Sequence, residues 1–334
     1  MRRSVLIFII INVLVIAFLT NRVWILITLL FADGMADAIS RGELPAADAE
    51  SSDTRPQLIP KIIHQTYINE SVPLVWQEAQ RSCIELHKDH YEYKFWTDAK
   101  SREFIAAEYP WFLDTFNGYP YPIQRADAIR YFVLATYGGI YIDLDNGCNR
   151  RLDPLLPYPA WVRRTVPTGI SNDAMGSVPQ HPFFLRVIRS LEKYNRSWIL
   201  PYITIMGSTG PLFLSVIWRR YSREGLNQGD GRVRILFPDE YQDKPWGFFL
   251  HNLGNSWHGK DVKLIFWMAR HWIALTVTGF LTAGVVFFVL YWVYYRFLVA
   301  GGSKGGSIRL KFPFWRRTST RDYELLDRDD RHEV

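Results

Sequence analysis

The chain has a long apolar stretch near each end and shorter apolar runs between them. Residues 272–295 contain no charged side chain, and these 24 positions exceed the roughly 20 that a helix needs to cross a hydrocarbon core of about 30 Å. Trp272 lies at one end of this stretch, and Trp292, Tyr294 and Tyr295 lie at the other, where aromatic rings suit the membrane interface. The pattern predicts a transmembrane helix over residues 272–295.

Residues 1–32 contain the second apolar stretch, which begins directly after Arg2 and Arg3. We expect a cytosolic N-terminus followed by a membrane anchor. A cleaved signal peptide is the alternative, because small residues follow around 34–38. Basic residues lie before this stretch and after residue 295, a bias that predicts two cytosolic termini and a body in the lumen of the secretory pathway.

Between the two stretches, the hydrophobic periodicity alternates between that of strands and that of helices. This alternation predicts an α/β fold with a mostly parallel sheet. Strand-like runs cover 61–63, 91–96 and 140–142, and helix-like stripes cover 74–87, 103–116 with a break at Pro110, and 123–137. Composition adds a polar stalk over 33–57, an α/β domain over 58–258, an amphipathic juxtamembrane segment over 259–271, and a charged, disordered cytosolic tail over 296–334.

Charge and cysteine content exclude several classes of protein. The net charge is +6, but much of it lies at the N-terminus and in the tail, so the body lacks a basic groove and we expect no nucleic-acid partner. Cys83 and Cys148 are too few for a disulfide-rich scaffold. They either pair in an oxidising lumen or remain two buried thiols, and we favour the thiols. Asn69 and Asn195 begin glycosylation triplets, which are consistent with a lumenal body.

Asp143 and Asp145 directly follow the predicted strand 140–142. In an extended segment both carboxylates would face one side, at the end of the strand where open α/β sheets bind ligands. Neighbouring carboxylates repel each other unless a cation neutralises them, and Mn²⁺ or Mg²⁺ would suit these oxygens and hold a diphosphate. A calcium-hand loop is excluded because Cys148 and Pro154 occupy its Gly and Glu positions. A solvated turn is the alternative.

The predicted helix 123–137 contributes polar side chains to the same region. Asp127 and Arg130 are three positions apart and share a face opposite the apolar stripe. Only two glycines separate this helix from the strand that precedes the acidic pair. We therefore expect Gln124, Asp127 and Arg130 to point along one cleft toward a hydroxyl-rich ligand, with an exposed ion pair as the alternative.

Several separated motifs, in the correct order, resemble those of the DXD-type sugar transferases of glycosyltransferase family 32, which include the fungal initiating α-1,6-mannosyltransferases. The resemblance covers about residues 58–258. The flanking apolar stretches are most similar to those of family members that mannosylate inositol phosphorylceramide. The motifs are IPKIIHQT at 59–66, WTD at 96–98, QRADAIRY at 124–131, YGGIYIDLD at 137–145 and TGP at 209–211.

The resemblance implies a GT-A fold, which is a Rossmann-like α/β domain, and a retaining, metal-dependent transfer. It implies GDP-mannose as the donor, inositol phosphorylceramide as the sphingolipid acceptor, Mn²⁺ or Mg²⁺ as the cofactor and a Golgi membrane as the location. It also implies a multispanning calcium-binding regulatory subunit as a partner. The alternatives are mannose transfer to protein N-glycans, a UDP-galactose or UDP-glucose donor, and a non-catalytic sugar-binding subunit.

The same resemblance implies roles for individual residues. Asp143 contacts the ribose and the metal, Asp145 binds the metal, and Asp127 and Arg130 hold the donor sugar. A late histidine completes the metal site, with His251 preferred and His258 as the alternative. The other assignments are His64, Gln65 and Thr66 to the nucleotide, Trp257 to the donor, and Asn172 and Asp173 to the acceptor.

The juxtamembrane segment combines apolar side chains with Lys260 and Lys263. An amphipathic segment of this kind lies at the level of the lipid headgroups, where the lysines would meet a phosphoinositol group of the acceptor. An ordinary basic flank of a membrane span is the alternative. The apolar side chains assigned to this surface are Phe248, Phe249, Ile265, Phe266 and Trp267.

Overall fold

The computed structural model describes residues 2–45, 55–165, 168–241, 244–251 and 260–296. Within these ranges the predicted α/β fold is confirmed. The strands are β1 Ile62–Thr66, β2 Glu92–Trp96, β3 Gly139–Ile142, β4 Asn146–Cys148, β5 Ala160–Arg164, β6 Ile170–Ser177, β7 Val233–Leu236 and β8 Phe249–His251. The helices are α1 Arg2–Leu30, α2 Leu74–His87, α3 Asp98–Glu108, α4 Leu113–Gly118, α5 Pro122–Tyr137, α6 Pro182–Tyr194, α7 Pro201–Ser208, α8 Pro211–Arg223, α9 Pro238–Tyr241, α10 Lys260–Arg270 and α11 Trp272–Tyr294.

Six strands form one mixed sheet in the order β2-β1-β3-β6-β5-β7. β1 is parallel to β2 and to β3, and β5 is parallel to β7. β6 lies between β3 and β5 and is antiparallel to both. The mostly parallel sheet is therefore confirmed, with one reversed strand that the periodicity did not show. Because Ile142 pairs with Ala174, the carboxyl end of β3 lies beside the middle of β6.

Apolar side chains cover both faces of this sheet, as expected for strands between layers of helices and loops. Along β3, Tyr141 packs into one cluster with α5, α6 and α8, whereas Ile140 and Ile142 pack into a second cluster on the opposite face. β5 divides in the same way, with Val162 in the first cluster and Trp161 in the second. α5 is buried along most of its length, so its polar side chains must find partners inside the protein.

Two glycines connect α5 to β3 in conformations that other residues rarely adopt. Gly138 has a φ of 65° and Gly139 a φ of 92°. A Cβ atom on Gly138 would lie 2.7 Å from the Ser177 carbonyl oxygen, and one on Gly139 would lie 2.6 Å from the Ile62 carbonyl oxygen. These glycines let β3 run directly beside β1 and β6, and they fix the residues after β3 relative to α5.

Cys83 of α2 and Cys148 of β4 form a disulfide, with their Cα atoms 4.7 Å apart. The expectation of two buried thiols is therefore wrong. The cysteines are 65 residues apart, and only the packing of α2 on β4 brings them together. Ser82 supports the same contact, because its Oγ accepts a hydrogen bond from the Cys148 amide at 2.9 Å. The disulfide fastens the segment that follows Asp145, and it fits an oxidising compartment.

Residues 33–45, which the composition assigns to a stalk, pack against the α/β domain. Ile39 and Leu44 are buried, and the Ile39 amide donates to the Ile235 carbonyl oxygen at 2.9 Å. The Arg234 guanidinium donates to the Glu43 carboxylate at 2.8 Å. Residues 46–54 of the stalk lie outside the described part of the chain.

The two apolar ends of the chain differ. α11 is 23 residues long and is long and apolar enough to cross a membrane, as the sequence predicts. It belongs to a compact unit separate from residues 5–270. Near the N-terminus, Ile9–Asn21 and Val23–Leu30 meet the same criterion only as a pair bent by 62°. The N-terminal anchor therefore stays a prediction, and residues 297–334 of the predicted disordered tail lie outside the described residues.

Candidate active site

A cavity of about 500 Å³ opens at the carboxyl ends of β1 and β3. Ligand sites commonly have volumes of roughly 300–1,000 Å³. Thr66 extends into the wall from the end of β1, Arg130 from α5, and Ile205 from α7. Asp143 and Asp145 contribute the acidic part of the wall. The cavity therefore lies where the sequence predicts a cleft, at the end of the strand that precedes the acidic pair.

The segment that carries the two aspartates is not extended. The Asn146 amide donates to the Asp143 carbonyl oxygen at 3.0 Å, so residues 143–146 form a turn. The expectation that strand geometry aligns the two carboxylates is wrong. The turn brings them together instead, close enough for the charge on Asp143 to raise the pKa of Asp145.

The Asp143 carboxylate has partners on both oxygens. The Tyr141 hydroxyl donates to Oδ1 at 2.7 Å, and Arg130 Nη1 lies 3.1 Å from Oδ1 and 3.2 Å from Oδ2. Tyr141 reaches Asp143 because side chains two positions apart at the end of a strand lie on the same side. Burial raises the pKa of Asp143, and the positive charge of Arg130 opposes that shift. Asp143 is thus held in one orientation at the cavity wall.

Arg130 joins Asp143 to the protein interior. Its side chain is 3% exposed, and its Nη2 lies 3.0 Å from Asp127 Oδ1. Its Nη1 donates to the Asn172 carbonyl oxygen at 2.8 Å, and its guanidinium lies 4.7 Å from the centroid of the Tyr141 ring. A planar guanidinium with five donors can satisfy these partners simultaneously, which an ammonium group cannot do. Arg130 therefore sets the position of Asp143 relative to α5.

Asp127 lies behind Arg130 and is 5% exposed. Asn172 Nδ2 donates to its Oδ1 at 2.9 Å, and the Thr209 hydroxyl donates to its Oδ2 at 3.1 Å. Burial raises the pKa of Asp127 to about 6. Gln124 is also buried and donates to a serine hydroxyl of α7 at 2.7 Å. The structure thus places Arg130 at the cavity wall and Asp127 and Gln124 behind it, and a contact of Asp127 with the donor sugar stays a prediction.

Asp145 differs from Asp143 because one of its carboxylate oxygens lacks a partner. Its Oδ1 is buried and receives no hydrogen bond from the part of the chain that the structure describes. Burial and the charges of Asp143 and Asp173 raise the pKa of Asp145 to about 7. A buried carboxylate oxygen is costly unless a proton or a cation meets it. Asp145 is therefore the residue at which the site most needs a further positive charge.

The carboxylates in this region outnumber the guanidinium groups that pair with them. Among the described residues, Asp127, Asp143, Asp145 and Asp173 lie around Arg130 and Arg163. The two excess negative charges and the free Oδ1 of Asp145 fit a divalent cation with oxygen ligands, such as Mg²⁺ or Mn²⁺. No group of three His, Cys, Asp or Glu side chains in the described ranges is arranged to hold an ion by itself. Such an ion would need further ligands, and a substrate diphosphate could provide them.

β8 brings His251 into the neighbourhood of the acidic pair. β4 and β8 pair antiparallel, and the Cα atom of His251 lies opposite that of Asn146, the residue after Asp145. The side chain of His251 and the whole of Trp257 and His258 lie outside the described residues. His251 as a metal ligand, with His258 as the alternative, and Trp257 as a donor contact therefore stay predictions.

Of the three residues that the resemblance assigns to the nucleotide, only Thr66 lines the cavity. His64 and Gln65 are fully buried. His64 Nδ1 accepts a hydrogen bond from Trp96 Nε1 at 3.1 Å, so its Nε2 carries the proton and donates to the Gly138 carbonyl oxygen at 2.8 Å. Burial lowers the pKa of His64 to about 4. His64 supports the junction of β1, β3 and α5, and nucleotide contacts for His64 and Gln65 stay predictions.

The residues assigned to the acceptor lie in two places. Asn172 is buried and also donates to the Tyr131 hydroxyl at 3.0 Å, whereas Asp173 is partly exposed and pairs with Arg163 at 2.9 Å. Lys263 is exposed on α10, and the side chain of Lys260 is not among those described. Acceptor contacts for all four residues stay predictions.

Two phenylalanines expected on the lipid-facing surface lie in the core instead. Phe248 and Phe249 are fully buried, and the Phe249 ring packs against Trp161 with 6.4 Å between centroids. The assignment of these two side chains to an exposed surface is therefore wrong. They are buried because β8 pairs with β4 under the second core cluster, a long-range contact that the periodicity did not show.

Arg163 and Tyr141 are functional candidates that the sequence analysis missed. Arg163 is 4% exposed, and its Nη1 lies 2.9 Å from Asp173 Oδ2 and donates to Asn146 Oδ1 at 3.2 Å. A signal was present, because an arginine inside the apolar run of β5 requires a buried anionic or polar partner. The spacing of Tyr141 and Asp143 likewise predicts that the hydroxyl and the carboxylate share a side of the strand.

Comparison with known proteins finds relatives along the whole chain. The chain is 46% identical to the mannosyl phosphorylinositol ceramide synthase CSH1 of Saccharomyces cerevisiae, over 100% of this chain and 91% of that protein. It is 50% identical to the mannosyl phosphorylinositol ceramide synthase SUR1 of the same yeast, over 87% and 74% of the two chains. A family profile for the glycosyltransferase sugar-binding region containing a DXD motif matches residues 73–161. The chain belongs to this family of DXD glycosyltransferases.

The region that matches the DXD glycosyltransferase profile contains Asp127, Arg130, Asp143 and Asp145. Membership in the family implies a nucleotide-sugar donor and usually a divalent metal. Another relative is the inositol phosphoceramide mannosyltransferase 2 of Schizosaccharomyces pombe, which is 50% identical over 72% of this chain and 69% of its own length. Among solved structures, the PaToxG glycosyltransferase aligns with 54% of this chain and 75% of its own, with a TM-score of 0.39 and 15% identity.

Proposed function

We propose that this protein transfers mannose from GDP-mannose to inositol phosphorylceramide, with retention of configuration, at the lumenal face of a Golgi membrane. The observation that carries the proposal is the cavity wall formed by Arg130, Asp143 and Asp145, in a chain whose relatives are named for this lipid mannosylation. The wall offers an oriented carboxylate, a carboxylate with a partnerless oxygen, and a guanidinium. These are the groups that a nucleotide diphosphate and its counter-ion require.

Asp143 and Asp145 are the residues that would hold a divalent cation, Mn²⁺ or Mg²⁺. When bound, such a cation supplies charge neutralisation for the departing diphosphate. Arg130 keeps Asp143 in place through its contact at 3.1 Å. Asp127 keeps Arg130 in place through its contact at 3.0 Å. The chain thus contributes a preorganised, acidic wall that would bind the cation of the diphosphate and does not have to rearrange during the transfer.

A lipid acceptor agrees with the end of the chain. Only His271 separates α10 from the apolar helix α11. If α11 crosses the bilayer, chain connectivity keeps α10 close to the membrane surface, where a lipid headgroup is available. The disulfide between Cys83 and Cys148 supports a lumenal domain, since such bonds persist in oxidising compartments. The proposal also includes cytosolic termini and a membrane anchor within residues 1–32. Its last part is a multispanning calcium-binding regulatory subunit as a partner.

The proposal is tested with membranes that contain the full chain, labelled GDP-mannose and inositol phosphorylceramide, with and without Mn²⁺. We expect labelled lipid only when a divalent cation is present. Asp145→Asn keeps the size of the side chain and removes its charge, so the rate of transfer should fall at least about 100-fold. Asp114→Asn, an exposed aspartate of α4, is the matched control and should leave the rate unchanged.

Three outcomes would contradict the proposal. Label in glycoprotein without label in lipid would show that the acceptor is an N-glycan. Transfer from UDP-galactose or UDP-glucose, but not from GDP-mannose, would show a different donor. Full activity of folded Asp145→Asn in the absence of divalent cations would show that the transfer does not depend on a cation bound by Asp145. Thermal unfolding of the membrane-bound variant shows whether it is folded.

A further inference from the structure

Two elements of the α/β unit carry large apolar side chains that are exposed. The loop before α7 contains Trp198, which is 58% exposed, and Ile199, which is 100% exposed. The first turns of α10 add Leu264, Phe266 and Trp267, and these side chains are 47%, 57% and 51% exposed. Exposed apolar patches on soluble domains commonly mark a surface that meets a protein, a membrane or a ligand. We call these five side chains the apolar rim.

The two elements of the apolar rim are held together by specific contacts. Asp261 Oδ2 of α10 accepts a hydrogen bond from the Tyr202 amide at the start of α7, at 2.7 Å. The rings of Tyr202 and Phe266 also touch, with 6.5 Å between centroids. Within the loop, the Trp198 amide donates to the Thr204 hydroxyl at 2.8 Å. The loop therefore presents Trp198 and Ile199 in a defined position beside α10.

α7 links the apolar rim to the cavity. Ile205 of α7 lines the cavity, and Tyr202, one helical turn earlier, contacts α10. The cavity wall and the apolar rim are thus separated by a single short helix. A ligand with a polar head and apolar tails could place its head in the cavity while its tails stay at the rim.

The chemistry of the rim fits a lipid surface. Tryptophan and phenylalanine flanked by lysine and arginine are typical of segments at a membrane interface. Lys263 and Arg270 on α10 and Arg196 before the loop supply the basic groups, and the Asp261 carboxylate is bonded to the Tyr202 amide. The position in the chain points to the same partner, because α10 ends one residue before the apolar helix α11.

We propose that the loop at Trp198–Ile199 and α10 enter the lumenal leaflet together and hold the α7 side of the cavity at the level of the lipid headgroups. The acceptor lipid then reaches the cavity without leaving the bilayer. The placement of these two elements in the leaflet depends only on their surface. The statement that this placement brings the acceptor lipid to the cavity rests on the proposed function.

A fluorescent probe at residue 199 tests the placement. The chain has two cysteines, and both are in the disulfide, so Ile199→Cys supplies a single reactive thiol in the full chain. The labelled protein is reconstituted in nanodiscs of phosphatidylcholine with phosphatidylinositol. We expect nitroxide-labelled lipids to quench the probe and aqueous iodide to leave it bright. The same probe at Leu226, an exposed aliphatic residue outside the apolar rim, should respond to iodide and not to the lipids.

A probe at residue 199 that iodide quenches and lipid nitroxides do not would overturn the proposal. So would protection from both quenchers with cross-links between two chains or to another protein, because the rim would then be a protein interface. A glycan on Asn195 in most copies of the native protein would also overturn it. Asn195 lies three residues before Trp198, and a glycan there would keep the loop in water.

Kinetic measurements test whether the apolar rim helps the acceptor lipid to reach the cavity. An aspartate cannot replace the buried isoleucine in lipid, so Ile199→Asp should raise the KM for inositol phosphorylceramide in nanodiscs by about tenfold or more. The KM for the donor should not change, and Ile199→Leu should behave as wild type. If wild type transfers no mannose to the lipid, the proposed function fails while the quenching result still decides the placement. Equal acceptor KM values for Ile199→Asp and wild type would show that the apolar rim does not help the acceptor lipid to reach the cavity.

Discussion

At the scale of single residues, the geometry of the site depends on Arg130. This side chain contacts Asp127 at 3.0 Å, Asp143 at 3.1 Å and the Asn172 carbonyl oxygen at 2.8 Å. Lysine keeps the positive charge but cannot reach three partners in one plane. We expect Arg130→Lys to lower the rate of mannose transfer by about 100-fold, because Asp143 loses its fixed orientation.

The matched control for Arg130→Lys is Arg102→Lys, since the Arg102 guanidinium is exposed and lies 3.3 Å from the Asp98 carboxylate. Exposed ion pairs contribute little, so this variant should keep its activity. Initial rates with saturating donor and acceptor measure both effects. An Arg130→Lys enzyme as active as Arg102→Lys would show that Asp143 does not need the guanidinium.

His64 makes the stability of the fold sensitive to acid. Burial lowers its pKa from 6.5 to about 4, so between these values the unfolded chain takes up a proton that the folded chain does not. The folded state therefore loses stability as the pH falls from 6.5 to 4, by up to about 3 kcal/mol from this one residue. Below pH 4 the folded state also becomes protonated, and the loss levels off.

Thermal unfolding of the full chain between pH 7 and pH 4 measures this loss. His64→Gln has a lower stability at neutral pH, because the hydrogen bonds of the imidazole change, but it should show a smaller decrease on acidification. Burial also lowers the pKa of His181 to about 4, so adding His181→Gln should flatten the profile further. An unchanged acid slope in both variants would contradict the assignment to buried neutral histidines.

The residues of the site were only partly predictable, for a physical reason. Asp143, Asp145 and Arg130 stand out because charged side chains beside a buried strand or helix face need a partner. The resemblance assigns His64, Gln65 and Thr66 to the nucleotide, but the sequence does not show which of them reaches the cavity, and only Thr66 lines it. Arg163 was missed because its partner Asp173 comes from a different strand.

At the scale of secondary structure, the disulfide between α2 and β4 stabilises the segment directly after Asp145. Closing a loop of 65 residues lowers the entropy of the unfolded chain. Its removal should cost about 4 kcal/mol. We expect Cys83→Ala combined with Cys148→Ala to lower the midpoint of thermal unfolding. We expect lower activity as well, because the disulfide holds β4, which begins directly after Asp145.

Chemical reduction of the disulfide in wild type gives a protein to compare with the double variant. Dithiothreitol should lower the unfolding midpoint of wild type toward that of the double variant and should leave the double variant unchanged. Intact-mass measurement after alkylation confirms the state of the thiols. A double variant with the stability of the oxidised wild type would show that packing of α2 on β4 holds this segment without the covalent bond.

The elements were predictable where their own periodicity is strong. α2 occupies 74–87 as expected, and α5 begins one residue earlier than expected. β4, β7 and β8 have only three or four residues each, too few for a periodic signal, and they form because distant segments pair with them. The antiparallel insertion of β6 between β3 and β5 is likewise a tertiary property that no local pattern contains.

At the scale of the whole molecule, composition alone misassigned part of the stalk. Residues 33–45 are polar enough to suggest a linker, yet Ile39 and Leu44 fill the second core cluster and Arg234 bonds to Glu43. Two apolar side chains in a polar segment suffice for docking when the domain offers a matching surface. The α/β unit therefore begins before residue 58, where the family resemblance begins.

The proposed orientation of the chain across the membrane rests on its charges and its disulfide. Nine basic residues follow the predicted span at 272–295, and a disulfide in the α/β unit is typical of an oxidising compartment. In sealed Golgi vesicles, we expect an external protease to remove a C-terminal tag and to leave residues 33–270 intact. Cys83 and Cys148 should react with a membrane-permeant maleimide only after reduction. A protected tag together with thiols that react without reductant would place the α/β unit in the cytosol, where neither the disulfide nor a lumenal acceptor would be available.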